Sequence, residues 1–179
     1  LFNFNKIIRG EKMKIVIDDY EYNYLVEDIL KNRKFKKLED CPHHKTNRLE
    51  HSKRVSLNAY KICKKLNLDY VSAARAGLLH DFFTNNYKEE KAGKLMKEHP
   101  IIASYNSKKY FKLNQKELNI IESHMFPLNA KVKPKYIESY IVSMIDKIAC
   151  VYEKIVGYSS ELNFKLGEKT IYLFLLIFS

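Results

Sequence analysis

Apolar residues recur every three or four positions in one stretch of this chain after another, and only an amphipathic helix buries such a pattern on one side. Val55, Ala59, Ile62 and Leu66 make one stripe, and Ile137, Ile141, Met144, Ile145, Ile148, Tyr152 and Ile155 make a longer one. Five glycines and four prolines in 179 residues supply too few turn formers for an all-β fold. That length suits one domain with a real core. The expectation is an all-α protein, a compact helical bundle.

Capping residues punctuate the pattern. Asp18 or Asp19 can start a first helix with Tyr24, Leu25, Ile29 and Leu30 on one side. Residues 31–45 are basic, contain Cys-Pro and read as loop. Asn47 with Glu50, and Asn114 with Glu117, are candidate capping boxes. Asp69 caps a helix that carries Val71, Ala74, Leu78 and Leu79 and ends near His80. A short helix within 87–98 is expected to precede a separate one opened by Pro100, with His99 at its N-cap edge. The helix after Asn114 presents Leu118, Ile121 and Met125 and ends at Phe126-Pro127; Pro134 opens the last helix and Gly157 stops it.

The net charge of +11 favours an anionic partner. The cations are nearly all lysine, with only Arg9, Arg33, Arg48, Arg54 and Arg75 able to clamp phosphate in bidentate fashion. Scattered lysines read as solvated helix faces, so nucleic acid is not the favoured partner. Cys41, Cys63 and Cys150 form no Cys-x-x-Cys pair, which argues against a disulfide framework or a thiolate zinc site. These isolated cysteines fit a reducing cytoplasm, the expected location, and the N-terminal residues show no apolar segment followed by a small-residue cleavage site. Residues 1–12 precede Met13, a candidate natural start. The run 171–178 is almost wholly apolar but too short to span a bilayer. Docking on the domain, or on a second subunit of a homodimer, is its expected role.

Within these helices lies a set of polar residues that a bundle does not need. His51, His80, His99 and His124 fall at helix ends or on apolar faces, joined by Asp81 and Asp146. Asp146 is the most telling, because a carboxylate inside an apolar helix is costly when buried without a partner, and a cation removes that cost. Mixed imidazole and carboxylate donors suit iron, manganese, zinc, cobalt or nickel. The adjacent pair His80-Asp81 at a helix end can direct both side chains at one centre. A carboxylate there can bridge two cations about 3.5–4 Å apart, an arrangement that clamps a phosphoryl group.

His51 in His-Ser-Lys-Arg-Val-Ser, His80-Asp81 after Ala-Gly-Leu-Leu, and Asp146 in Met-Ile-Asp-Lys resemble the ordered His, His-Asp, Asp set of the HD superfamily of phosphohydrolases. Glu-His99-Pro and Ser-His124-Met-Phe-Pro resemble the two further histidines of its dinuclear members. The resemblance spans about residues 47–153 and extends to a group of uncharacterised bacterial hydrolases with a His-Met-x-Pro-Leu stretch. It implies an HD-type domain over 18–157, between a lead-in at 1–17 and an apolar tail at 158–179. It also implies two divalent transition-metal ions. His51, His80, Asp81 and Asp146 would hold the first; Asp81 would bridge to a second completed by His99 and His124. His80 and Asp81 would be catalytic, with a bridging water or hydroxide attacking phosphorus, and Lys147 would meet a substrate phosphate.

The implied activity is hydrolysis of a phosphoester or phosphoanhydride in a nucleotide or similar small metabolite. Phe82-Phe83-Thr84 stands where cyclic-dinucleotide phosphodiesterases of this superfamily commonly carry Ile-Gly-Lys, and their Gly-Tyr-Pro signature is missing, so that substrate class is not expected. A non-catalytic module that binds a nucleotide and signals to a partner is the main alternative. A nucleic-acid-binding helical protein and a di-iron oxidase are weaker ones. His43 and His44 lie in the loop before His51; they could line the pocket mouth, but solvent exposure is the favoured expectation.

Overall fold

A computed structural model describes residues 19–43, 46–84, 92–129 and 131–158. The expectations for the lead-in, the start at Met13, His44 and the tail lie outside them. The described elements are α1 (Tyr20–Lys31), α2 (Arg33–Lys36), a 3-10 turn (Lys37–Asp40), β1 (Pro42–His43), β2 (Thr46–Asn47), α3 (Arg48–Lys65), α4 (Tyr70–Leu79), α5 (Ala92–Tyr110), α6 (Gln115–Ser123) and α7 (Ile137–Tyr158). The protein is thus all-α, apart from one antiparallel two-stranded hairpin that pairs Pro42 with Asn47 and His43 with Thr46. None of the helices among the described residues is long and apolar enough to cross a membrane.

Side-chain caps start five of these helices, four of them the longer α1, α3, α4 and α6. Asp19 accepts the Tyr22 amide at 3.0 Å, Asn47 that of Glu50 at 2.9 Å and Asp69 that of Ser72 at 2.9 Å. At α6 the capping box is complete, with Asn114 on the Glu117 amide and Glu117 on the Asn114 amide. Each such cap stabilises a helix start by about 1 kcal/mol.

α3 and α4 form the centre of the bundle, and they approach closely because Gly77 has no side chain. A Cβ there would lie 3.1 Å from the Ser56 backbone Cα. Ser56 Oγ donates to the Ala74 carbonyl at 2.6 Å and accepts from Tyr22 at 2.7 Å, locking α1, α3 and α4 together. Val26, Leu78, Leu79, Ile120, Ile121 and Val142 are fully buried in the surrounding core. Complete burial of a large aliphatic chain contributes roughly 1.5–3 kcal/mol.

The fold departs from the sequence reading in five places. On α1, Tyr22, Val26 and Ile29 face the core, while Tyr24 is 74% exposed. A tyrosine hydroxyl at position 22 finds Ser56, which makes burial affordable for a residue that looks amphipathic. Residues 33–40 are helical rather than loop, started by Asn32, whose side chain accepts the amides of Lys34 and Phe35. Pro100 opens no helix: it sits inside α5, and His99 is a mid-helix residue. A proline there removes one backbone bond, and Asn129 Nδ2 donates to the Lys97 carbonyl in the preceding turn at 2.7 Å. α6 stops at Ser123, three residues short of Phe126, so that His124 becomes its C-cap. α7 begins at Ile137, not at Pro134, and runs through Gly157 to Tyr158.

Candidate metal centre

Five elements deliver the six expected donors to one buried place. His51 comes from the first turn and a half of α3, His80 from the C-cap of α4, Asp81 from the residue after it, His99 from mid-α5, His124 from the C-cap of α6 and Asp146 from mid-α7. All six are at least 95% buried. α4 ends at Leu79, and His80 and Asp81 follow at its C-terminal end, both buried.

Asp81 stands between two groups of histidines. Its Oδ1 lies 3.4 Å from His99 Nε2 and 3.7 Å from His124 Nε2, while its Oδ2 lies 3.8 Å from His80 Nε2. Asp146 Oδ1 lies 3.1 Å from His51 Nε2 and 3.6 Å from His80 Nε2. Two donors that share one cation at about 2.1 Å each would stand roughly 3.0–3.4 Å apart, close to these separations. His51, His80 and Asp81 form one compact triad; Asp81, His99 and His124 form another, with Asp81 common to both.

The tautomers are fixed from outside. His80 Nδ1 donates to the Gly77 carbonyl at 2.8 Å, His99 Nδ1 to that of Leu95 at 3.1 Å and His124 Nδ1 to that of Ile121 at 2.8 Å. The proton therefore sits on Nδ1 in each ring, and the Nε2 lone pair points into the centre. His80 Nε2 and Asp81 Oδ1 are buried without a hydrogen-bonding partner, and His99 Nε2 faces His124 Nε2 at 2.9 Å. Lone pairs converging in a dry interior are unfavourable unless a cation joins them, so the donor set fits divalent transition metals.

The protonation equilibria point the same way. Burial, together with His80 and His99, pushes His124 down to about 3, so this ring stays neutral. Burial likewise lowers His99. Burial disfavours the anion of Asp81, yet the imidazoles of His80, His99, His124 and His43 hold its carboxyl well below the usual range. His51 differs. Burial disfavours its cation, but hydrogen bonds to Asp146 and Glu153 raise it to about 10, so a proton occupies Nε2 until a metal replaces it.

Lys147, expected beside a substrate phosphate, is aimed elsewhere. Its ammonium donates to the His124 carbonyl at 2.8 Å and to the Ser143 carbonyl and hydroxyl, both at 2.9 Å. These three acceptors match its three protons, and the lysine thereby holds the turn that carries His124. His43 reverses its expectation: it is 8% exposed and stacks on His51 with ring centroids 4.1 Å apart. The hairpin explains this, since its return strand leads directly into α3 and folds β1 over the first turns of that helix.

Three residues of this neighbourhood are not read from the sequence as part of the site. Glu153 is buried, accepts from His51 Nδ1 at 3.1 Å and is paired with Arg54. Its signal was present: 146, 150 and 153 follow one helical stripe, so Asp146, Cys150 and Glu153 share a face of α7. Cys150 donates its thiol to Asp146 Oδ1 at 3.6 Å, and burial raises its pKa beyond the usual thiol range. Arg48 lays its guanidinium 3.7 Å from the Phe83 ring centroid and donates to the Phe83 carbonyl, and Phe83 in turn packs on His99. Phe83 therefore braces His99, while Phe82 packs away from the centre against Phe35, Tyr110 and Phe111.

The family model described as HD domain matches residues 48–150. That span contains all six donors. No curated protein and no solved structure matches the chain.

Proposed function

The chain belongs to the HD domain family, and on that premise we propose that it is a metal-dependent phosphohydrolase acting on a phosphoester or phosphoanhydride of a nucleotide or similar small phosphorylated metabolite. The observation that carries the proposal is the convergence of four imidazoles on two buried carboxylates, with the Nε2 of His80 and an oxygen of Asp81 left without hydrogen-bonding partners. His51, His80, Asp81 and Asp146 would hold one divalent cation, and Asp81, His99 and His124 a second. Bound there, such ions supply Lewis-acid activation of water and neutralise charge on the phosphoryl oxygens.

The protein's own contribution is orientation and dryness. Backbone carbonyls fix the rings of His80, His99 and His124, and Glu153 fixes that of His51. Phe83, pinned by Arg48, covers His99 and keeps bulk water from its ring. The net charge of +11 favours anionic substrates.

The test is release of inorganic phosphate from a panel of nucleotides and sugar phosphates, with the protein loaded in turn with manganese, iron and cobalt. Turnover in the wild type and its loss in Asp81→Asn are expected. A metal-loaded protein that turns over nothing, and whose Asp81→Asn variant keeps its cellular output, would establish the non-catalytic module instead.

A further inference from the structure

We propose that His43, aimed by Glu153, is a seventh donor to the centre, on the side formed by His51, His80 and Asp146. The proposal rests on the metal-centre reading above and extends it to a residue outside the matched span, since His43 precedes position 48.

The four expected histidines share one device: Nδ1 is tied to an oxygen, and Nε2 is directed at Asp81 or Asp146. His43 has the same arrangement. Its Nδ1 lies 3.4 Å from Glu153 Oε2, and its Nε2 lies 3.9 Å from Asp81 Oδ2. Glu153 Oε2 also lies 3.1 Å from His51 Nδ1, so one carboxylate grips both rings from behind. The rings stack at 4.1 Å with 30° between their planes, and their Nε2 atoms face neighbouring aspartates, that of His43 towards Asp81 and that of His51 towards Asp146. Arg54 pairs with Glu153, and Glu153 is only 4% exposed, so the clamp is itself held in place.

The separation of 3.9 Å between His43 Nε2 and Asp81 Oδ2 is too long for a hydrogen bond. It lies between the roughly 3.0–3.4 Å of adjacent ligands and the roughly 4.2 Å of opposite ligands about one cation, as does the 3.8 Å between His80 Nε2 and the same oxygen. Asp81 thus presents Oδ1 to His99 and His124 and Oδ2 to His80 and His43.

Cobalt(II) titration of the chelated full chain in competition with a chromophoric chelator tests this. His43→Ala and His43→Phe, the second of which keeps a stacked ring but no nitrogen, are expected to weaken cobalt binding about 10–100-fold and to change its visible ligand-field bands. Glu153→Gln is expected to weaken it less, because the amide oxygen still accepts from one ring. A crystal structure of the cobalt-loaded wild type, with the metal located by anomalous scattering, is expected to place His43 Nε2 about 2.0–2.3 Å from an ion. Wild-type affinity and spectrum in both His43 variants, or a cobalt-loaded structure with His43 away from every ion, would overturn the role of His43 and leave the six-donor centre standing. A wild type that takes up no cobalt would overturn both.

Discussion

His99 Nε2 and His124 Nε2 lie 2.9 Å apart, and each ring has already given its Nδ1 proton to a carbonyl of its own helix. Two lone pairs so close, beside Asp81, make a strong site for a cation and a poor one for nothing. Adding manganese or cobalt to chelated protein is expected to raise the melting temperature, by about 2.7 kcal/mol of stability at a hundredfold excess over Kd. His124→Ala should lose a large part of that gain in differential scanning fluorimetry. An identical metal-induced rise in the variant would contradict the pairing.

Asp81 serves both triads, so its neutral isostere should damage both. Asp81→Asn keeps the shape but loses the charge and one lone-pair-rich oxygen. Phosphate release is expected to fall by at least about 10²-fold, beyond the loss typical of outer-shell changes. Elemental analysis should show less metal per chain, while circular dichroism remains that of the wild type.

Gly77→Ala probes the close approach of α3 and α4. The added Cβ would meet backbone, Ser56 Cα at 3.1 Å, and backbone cannot rotate away. Overpacking of this kind destabilises by roughly 1–3 kcal/mol, and urea unfolding would measure it. Because Gly77 also carries the carbonyl that orients His80, metal affinity should fall with stability.

The metal-free protein should lose stability on both sides of neutrality. His51 is raised from 6.5 to about 10, so its stabilising contribution is complete below pH 6.5 and disappears as pH climbs toward 10. His124 is lowered from 6.5 to about 3, so its neutral burial favours folding above pH 6.5 and loses that advantage as pH falls toward 3. Urea midpoints measured in chelator at pH 5, 7 and 9.5 should peak at the middle value. A His51→Asn variant should flatten the alkaline side alone.

Lys147→Met separates two roles for that lysine. Anchoring of the His124 turn predicts lower stability and weaker metal binding with KM nearly unchanged. Direct contact with substrate phosphate predicts the opposite, a raised KM on an intact centre.

Much of this architecture can be read from residue spacing. The N-caps Asp19, Asn47, Asp69 and Asn114 stand where local chemistry puts them, because a cap needs only its own first turn. The gathering of the six donors was expected from residue types buried on helical stripes. What escaped depended on contacts far apart in sequence. Glu153 meets His51 across 102 positions, and Arg48 reaches Phe83 across 35. His43 reads as loop because no local rule says that a two-residue strand will fold it over α3. Pro100 reads as a helix start because a proline inside a helix is rare, yet α5 runs through it.

The carbonyls that orient His80, His99 and His124 belong to residues three or four positions earlier in the same chain segment. Those rings are aimed as soon as their own turn winds, before any helix meets another. His51 has no such local guide and takes its bearing from Glu153 on α7. Three of the rings are thus pre-set, and His51 is set only by assembly. A disturbance that shifts α7 would misdirect His51 and loosen the Lys147 hold on the His124 turn, while His99 would keep its aim from its own helix.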